Sequence, residues 1–265
     1  MPVSNTERQR TEFFGRLEAR GSGALVLDYD GTLAPFNKDR DSAFPYPGVR
    51  ELIAGIMTRT ATRVVLISGR RAEEVKKLLG ISPTPEIWGA HGLQRLHPNG
   101  RCESVAITDR EAGVLQEAAA WLEQNGFIHL AEQKPGSIAV HSRGLPADES
   151  KRIADKVRSG WEGLAAQERM RLLGFDGGIE LRVSGNDKGR AVLTVFGELA
   201  PGTPLAFLGD DLTDEDAFMA LQETCSLTVL VRPEWRETHA RIWLRPPEDL
   251  LDFLTEWLER SGGAA

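Results

Sequence analysis

Val26-Leu27-Asp28-Tyr29-Asp30-Gly31-Thr32-Leu33 is an apolar run that delivers two carboxylates, one residue apart, into a glycine turn. Residues two apart in an extended chain point the same way, so the spacing predicts Asp28 and Asp30 side by side, with Tyr29 directed oppositely. Like charges that close repel unless a cation, a proton or a substrate balances them. The stretch is therefore a candidate metal or phosphoryl site. Taken alone, the same residues also suit a plain Asp-Gly turn, and the rest of the chain has to decide.

Working outward, residues 4–20 carry Phe13, Phe14 and Leu17 at helical spacing and stop at Gly21 and Gly23. Residues 24–30 read as the first strand. Residues 46–60, opened by Pro47, place Val49, Leu52, Ile53 and Ile56 on one helical face. A second apolar strand at 63–69 is stopped by glycine, a helix follows at 71–79, and a shorter strand at 86–92. Strands without polar alternation, separated by helices, predict a parallel sheet covered on both faces.

The rhythm changes near Thr108. A helix at 109–125 precedes alternating strands at 127–133 and 137–142, joined by Lys134-Pro135-Gly136; a helix at 147–167 precedes strands at 170–175 and 179–183, joined by Asp176-Gly177-Gly178. A helix-hairpin unit occurring twice signals antiparallel pairing. We therefore expect an inserted α+β domain over 105–184, with 1–104 and 185–265 forming one discontinuous α/β core. The parallel rhythm resumes with a helix at 187–199, a strand at 204–209, a helix at 213–222, strands at 226–231 and 241–244, and a helix at 247–260. The tail at 261–265 is expected to be loose.

Composition narrows the function classes. With 265 residues, 41% hydrophobic and 27% charged, the chain reads as an ordinary globular protein. It holds no apolar run near the roughly 18 residues of a membrane span, and residues 1–10 are too polar for a signal or anchor. Cytoplasmic residence is the expectation, with no membrane partner and a monomer as the default. A formal net charge of −7 argues against nucleic-acid binding, but a small phosphorylated ligand needs only a few local cations. Cys102 and Cys225 are too few for a disulfide framework or a zinc site.

In open parallel sheets, ligands bind outside the carboxyl ends of the strands. The first strand ends in Asp28 and Asp30, the second in Ser68-Gly69-Arg70, and the strand after the insert in Gly209-Asp210-Asp211, with Asp214 just beyond. All fall at one edge of one sheet. Mg²⁺ prefers hard oxygens, which Asp28 and Asp210 supply, with the Asp30 carbonyl as a further donor. A carboxylate beside the cation can attack phosphorus, and its neighbour two residues on can protonate the leaving oxygen and later take a proton from water. Ser68, with its hydroxyl and backbone N–H near a helix start, suits a phosphate oxygen. Lys188 would neutralise charge accumulating on Asp28 and the transferring group. Five carboxylates in the seven positions 210–216 exceed what helix capping requires.

Asp28-Tyr29-Asp30-Gly31-Thr32-Leu33, Ser68-Gly69-Arg70, Lys188-Gly189 and Gly209-Asp210-Asp211, in that order, resemble the four motifs of the haloacid dehalogenase-like (HAD) phosphatase superfamily. The longer string Gly209-Asp210-Asp211-Leu212-Thr213-Asp214-Glu215-Asp216-Ala217-Phe218 is similar to trehalose-6-phosphate phosphatases. So are Gly89-Ala90-His91-Gly92 and the segment 132–143. The likeness runs from about Ala24 to Leu258. It implies a Rossmann-like core carrying a mobile inserted cap of the C2 type, and a Mg²⁺-dependent phosphatase acting on a small phosphorylated disaccharide.

By that resemblance Asp28 is the nucleophile and Asp30 the general acid/base. Ser68 and Lys188 complete the catalytic set, and Asp28, Asp30, Asp210 and Asp214 surround the metal. Arg70 and His91 are implied at the substrate. In the cap, Glu132, Lys134 and Glu180 match positions that hold sugar hydroxyls, as acceptors and donor, with His141 and Arg143 as further candidates. Sugar groups on the cap and a nucleophile on the core imply closure on binding. Gln94 stands where a Glu commonly follows the His-Gly pair, and Val183 where a Pro is common. Both bear on the sugar rather than on the phosphoryl chemistry. Mannosyl-3-phosphoglycerate and sucrose 6-phosphate stay open as substrates, as does a sensor that binds without turnover. The intact acid and lysine set argues against the sensor.

Overall fold

The computed structural model describes residues 5–262 apart from 38, 168 and 176. Asp176 of the second hairpin turn and residues 263–265 of the expected loose tail lie outside the described residues. The chain divides into two compact units, Met1–Glu103 with Lys188–Ala265, and Ser104–Asp187. The periodicity places its change of rhythm at 105 and 184.

The first unit begins with α1 (Asn5–Arg20), β1 (Ser22–Leu27), α2 (Val49–Arg59), β2 (Ala61–Ile67), α3 (Ala72–Leu79), β3 (Glu86–Gly89), β4 (Gln94–Leu96) and β5 (Cys102–Ser104). The inserted unit contains α4 (Asp109–Gln124), β6 (Ala131–Lys134), β7 (Ser137–His141), α5 (Ala147–Ala165), β8 (Met170–Phe175) and β9 (Gly178–Val183). The first unit then resumes with α6 (Lys188–Gly197), β10 (Leu205–Gly209), α7 (Glu215–Ala220), β11 (Leu227–Val231), β12 (Ile242–Leu244) and α8 (Glu248–Ser261). Among the described residues no helix is long and apolar enough to cross a membrane.

The large sheet has the order β12-β11-β10-β1-β2-β3-β4-β5. Its strands from β12 to β3 are parallel, and β4 turns back antiparallel on β3. The antiparallel extension was not legible, because β4 is three residues long and carries no period. Chain order runs outward from β1 through β2 and β3, then returns to β10 on the other side of β1. The crevice between β1 and β10 is thus the switch point at which such sheets bind ligands.

Alternation in β1 sends Leu25 and Leu27 into a cluster with α1, α2, α3 and α8, and Ala24 and Val26 into a second cluster with α6 and α7. Phe13 and Phe14 of α1 pack on Phe253 and Trp257 of α8, with centroids 5.1–6.3 Å apart, and each buried ring contributes roughly 1.5–3 kcal/mol. The same parity continues past the strand. Tyr29 follows Leu27 into the first cluster and donates to the Ala43 carbonyl at 2.8 Å, which leaves Asp28 on the α6 side.

Several boundaries differ from the periodicity. The strand expected over 86–92 ends at Gly89 before a 3₁₀ turn, Ala90–Gly92, and the strand expected over 127–133 begins at Ala131 after another, Ile128–Leu130. β1 stops at Leu27, although the Asp28 N–H still donates to Leu208 O at 2.8 Å; beyond it Leu33 and Ala34 bond back to Tyr29 O and close a turn. α2 starts two residues after Pro47 because Gly48 is left-handed, at φ 92°. The helix expected over 213–222 is a 3₁₀ turn, Leu212–Asp214, followed by the short α7.

In the inserted unit the antiparallel order is β6-β7-β9-β8. Ile138, Val140, Ile179 and Leu181 face α4 and α5. The alternate positions form the other face: Glu132, Ala139 and Glu180 are in register across β6, β7 and β9, and Lys134, Ser137 and Arg182 form the next row. Thr108 and Glu111 make a capping box that starts α4.

Candidate active site

At the switch point, Asp28, Asp210, Asp214 and Lys188 are all at most 4% exposed. The Lys188 ammonium, at the first turn of α6, donates to Asp28 Oδ1 and Asp214 Oδ1, each at 2.7 Å. Asp214 Oδ2 accepts from the backbone N–H groups of Asp210 and Asp211 at 3.0 and 2.9 Å. Asp210 Oδ1 lies 3.4 Å from the Thr32 hydroxyl, and its Oδ2 has no hydrogen-bond partner among the described residues. Gly31, at φ 86°, is required here, since a Cβ would stand 2.1 Å from that oxygen.

Burial disfavours the charged form of each acid. For Asp28 it outweighs Lys188, and with help from Asp214 and Asp30 the pKa is pushed up to about 7. Asp210 is held well above the usual carboxylate range by burial, then by Asp28 and Asp214. Burial works against the Lys188 charge too, yet Asp214 and Asp28 overcome it and raise its pKa. Three buried carboxylates against one ammonium leave negative charge to be balanced.

Whether a divalent cation fits can be judged from the donors. One carboxylate oxygen each from Asp28, Asp210 and Asp214 lies within 4.8 Å of the others, the one such metal-holding group among the described residues. All are hard oxygens, and one is a buried acceptor without a partner. The set fits Mg²⁺. The Asp30 side chain lies outside it: Arg70 Nε and Nη2 grip both Asp30 oxygens at 2.6 and 2.7 Å, and Arg70 Nη1 donates to Arg40 O at 2.9 Å. Arg70, expected at the substrate, is instead 4% exposed and engaged with the second acid.

The loop after β2 is stitched to the loop after β3. Ser68 N–H donates to Trp88 O, Ala90 N–H to Arg70 O, and His91 N–H to Ser68 O, at 2.7–3.0 Å. The Ser68 N–H, expected to meet a phosphate oxygen, is thus taken by the sheet ladder. Its hydroxyl oxygen accepts from Arg70 N–H at 3.1 Å, and its own hydrogen is left to donate. Ala90 and His91 hold positive φ, 49° and 55°, strain of a kind that clusters at functional sites. The His91 ring lies over Gly69, where a Cβ would meet it at 2.7 Å. Gln94 accepts from Ala72 N–H at 3.2 Å at the start of α3.

In the inserted unit, Lys134 Nζ lies 3.3 Å from Glu132 Oε2 and 4.0 Å from Glu180 Oε1, and Ser137 donates to Glu180 at 2.8 Å. His141 Nε2 is 2.8 Å from Glu132 Oε2, with its ring edge-on to Phe175. Arg143 by contrast lies against Gly177 in the β8–β9 turn. Val183 ends β9 in register with Met170.

Sequence reasoning over-read one stretch and missed another. Of the five acids at 210–216, Asp211 and Asp214 do form a capping box and Glu215 binds Arg236; Asp210 alone among these four has a buried oxygen without a hydrogen-bond partner among the described residues. Missed altogether was Arg236, whose guanidinium donates to the carbonyls of Asp210 and Asp211. It sits in a loop without periodicity, and no local signal marks it.

A family model described as trehalose-phosphatase matches residues 26–240. The trehalose-phosphate phosphatase of Mycobacterium leprae is 33% identical over 256 residues, covering 89% of this chain and 57% of that protein. That of Mycobacterium tuberculosis is 34% identical over 210 residues, covering 74% and 50%. The chain thus spans about half the length of the curated relatives it matches. Among solved structures, the C-terminal domain of trehalose-6-phosphate phosphatase from C. albicans has the same fold, with a TM-score of 0.79 over 96% of this chain and 97% of that one, at 21% identity. A trehalose-6-phosphate phosphatase related protein gives a TM-score of 0.67 at 26% identity, over 89% and 95%.

Proposed function

Because the chain belongs to the trehalose-phosphatase family, we propose that it is a Mg²⁺-dependent phosphatase releasing trehalose and inorganic phosphate from trehalose 6-phosphate. The observation that carries this reading is Lys188 bridging Asp28 and Asp214 at 2.7 Å, beside the unpartnered Asp210 oxygen.

Asp28 attacks phosphorus, forming an aspartyl phosphate as the bond to the sugar oxygen breaks, and Asp30 gives that oxygen a proton. Asp30 then takes a proton from water, which attacks phosphorus and releases Asp28 and phosphate. Lys188 balances the charge on Asp28 and the phosphoryl oxygens, and the Ser68 hydroxyl donates to one of them. Asp28 and Asp210 would hold Mg²⁺, with Asp214 orienting Lys188 and the Asp210 peptide; the bound cation supplies positive charge against the phosphoryl group. Arg70 keeps the Asp30 carboxylate in place. Glu132, Lys134 and Glu180 form a row of acceptors and a donor suited to sugar hydroxyls, with His141 orienting Glu132. Two free cysteines, both exposed, suit a reducing cytoplasmic setting.

The test is phosphate release by the wild type and Asp28→Asn with trehalose 6-phosphate and Mg²⁺. We expect the variant to be inactive; equal turnover would overturn the mechanism. Ranking kcat/KM over trehalose 6-phosphate, sucrose 6-phosphate and mannosyl-3-phosphoglycerate decides the sugar.

A further inference from the structure

The loop between β11 and β12 lies across the Asp210 turn. Arg236 Nη2 donates to Asp211 O at 2.8 Å, and Nε and Nη2 share Asp210 O at 3.3 Å. Its remaining Nη1 donates to Glu215 and to Glu237 O. Glu215 is itself held by the Thr238 hydroxyl at 2.8 Å and the His239 N–H at 2.9 Å. The loop is pinned at its ends, by Trp243 Nε1 on Arg232 O at 2.8 Å and Gln222 Nε2 on His239 O at 2.6 Å.

The effect on the turn is specific. The N–H groups of Asp210 and Asp211 are taken by Asp214, and their carbonyls by Arg236, with Arg232 Nη1 a longer third donor to Asp210 O at 3.5 Å. Both polar groups of the peptide joining Asp210 to Asp211, and one group of each flanking peptide, are thereby held, while among the described residues the buried Asp210 Oδ2 has no hydrogen-bond partner. A ligand oxygen presented from a rigid backbone binds a cation without first losing conformational freedom. The guanidinium fork suits this task where an amine does not, because it reaches the carbonyls of Asp210, Asp211 and Glu237 and the Glu215 carboxylate at once.

We propose that Arg236, oriented by Glu215, is a positioning residue that sets the affinity of Asp210 for the divalent cation. The proposal rests on the reading of the site as a Mg²⁺ site, and it assigns Arg236 no contact with substrate. Partners behind a metal ligand typically change metal affinity by about 10–100-fold when removed.

The experiment is calorimetric titration of Mg²⁺ into chelator-stripped wild type, Arg236→Gln, Arg236→Lys and Arg241→Gln, together with the Mg²⁺ dependence of phosphate release. Arg241 grips the carbonyls of Gln222, Thr224 and Ser226 at 2.8–2.9 Å, away from Asp210, and controls for a general loss of stability. We expect Mg²⁺ affinity to fall about tenfold or more in Arg236→Gln, less in Arg236→Lys, and not in Arg241→Gln, with kcat at saturating Mg²⁺ changing far less than affinity. Unchanged affinity in both Arg236 variants, or an equal loss in Arg241→Gln, overturns the proposal. If Arg236→Gln does not fold, Arg236→Lys against Arg241→Gln decides it. A wild type that takes up no Mg²⁺ instead overturns the reading of the site.

Discussion

Arg70 holds both carboxylate oxygens of Asp30, at 2.6 and 2.7 Å, from a position only 4% exposed. The two acids of the opening motif therefore have different cations: Asp28 is bonded to Lys188 and Asp30 to Arg70. If Arg70 acts through Asp30, Arg70→Ala should lower kcat by about 100-fold, the cost of misplacing a general acid and the low end of the range for losing one. Added to Asp30→Asn it should cost little more. Steady-state kinetics of the double-mutant cycle check this; fully additive losses would assign Arg70 a separate role.

Among the described residues, Lys188 is the one cation shown hydrogen-bonded to both Asp28 and Asp214. Replacing it by Met leaves buried carboxylates unpaired and should destabilise the metal-free protein by about 3–5 kcal/mol. Urea unfolding with and without Mg²⁺ measures this, and the cation should restore part of the loss by binding the native state.

The pKa of Asp28 rises on folding from the ordinary 3.8 to about 7, through burial that outweighs Lys188. Between those values the native state keeps a proton that the unfolded chain has released. Stability of the metal-free protein should therefore fall as pH increases across that window. Thermal unfolding in chelator at pH 5 to 8 should show the decline, and Asp28→Asn should be flatter. Stabilisation by Mg²⁺ should be larger at pH 8 than at pH 5.5.

Gly31→Ala places a methyl group against the Asp210 carboxylate at a φ of 86°. Strain of about 1–3 kcal/mol is expected, and Mg²⁺ affinity should drop because the Asp210 carboxylate must move. Calorimetry and unfolding read the two effects separately. Undiminished Mg²⁺ binding would mean that the turn is less confining than its geometry.

Glu132→Gln and Glu180→Gln test the row in the inserted unit. Each should raise KM for trehalose 6-phosphate several-fold while leaving hydrolysis of p-nitrophenyl phosphate nearly unchanged, since the aryl ester has no sugar to hold. Equal effects on both substrates would remove the sugar-binding assignment.

Much of this arrangement was legible in the chain. β1, β2 and β10 are apolar runs that end directly before Asp28, Ser68 and Asp210, so the placement of these residues at one sheet edge came from local pattern, whereas Lys188 opens α6 after the inserted unit. The short β4 and β5 carry too few residues to show a period, and the 3₁₀ turn before α7 looks like helix in any window. The five acids at 210–216 looked like more than capping requires because composition cannot distinguish an unpartnered carboxylate from one capping its own turn.

By itself, then, the sequence determined which residues the switch point would receive, because alternation along a strand and the chain's exit from it are local properties of the backbone. Lys188 was expected to answer Asp28, but only the tertiary structure decided the other pairings. Lys188 meets Asp214 across 26 residues, Arg70 meets Asp30 across 40, and Arg236 meets Asp211 across 25. Those pairings follow from strand order and from which helix covers which face. A buried charge takes the partner that the packing brings within about 3 Å, and spacing along the chain does not encode that.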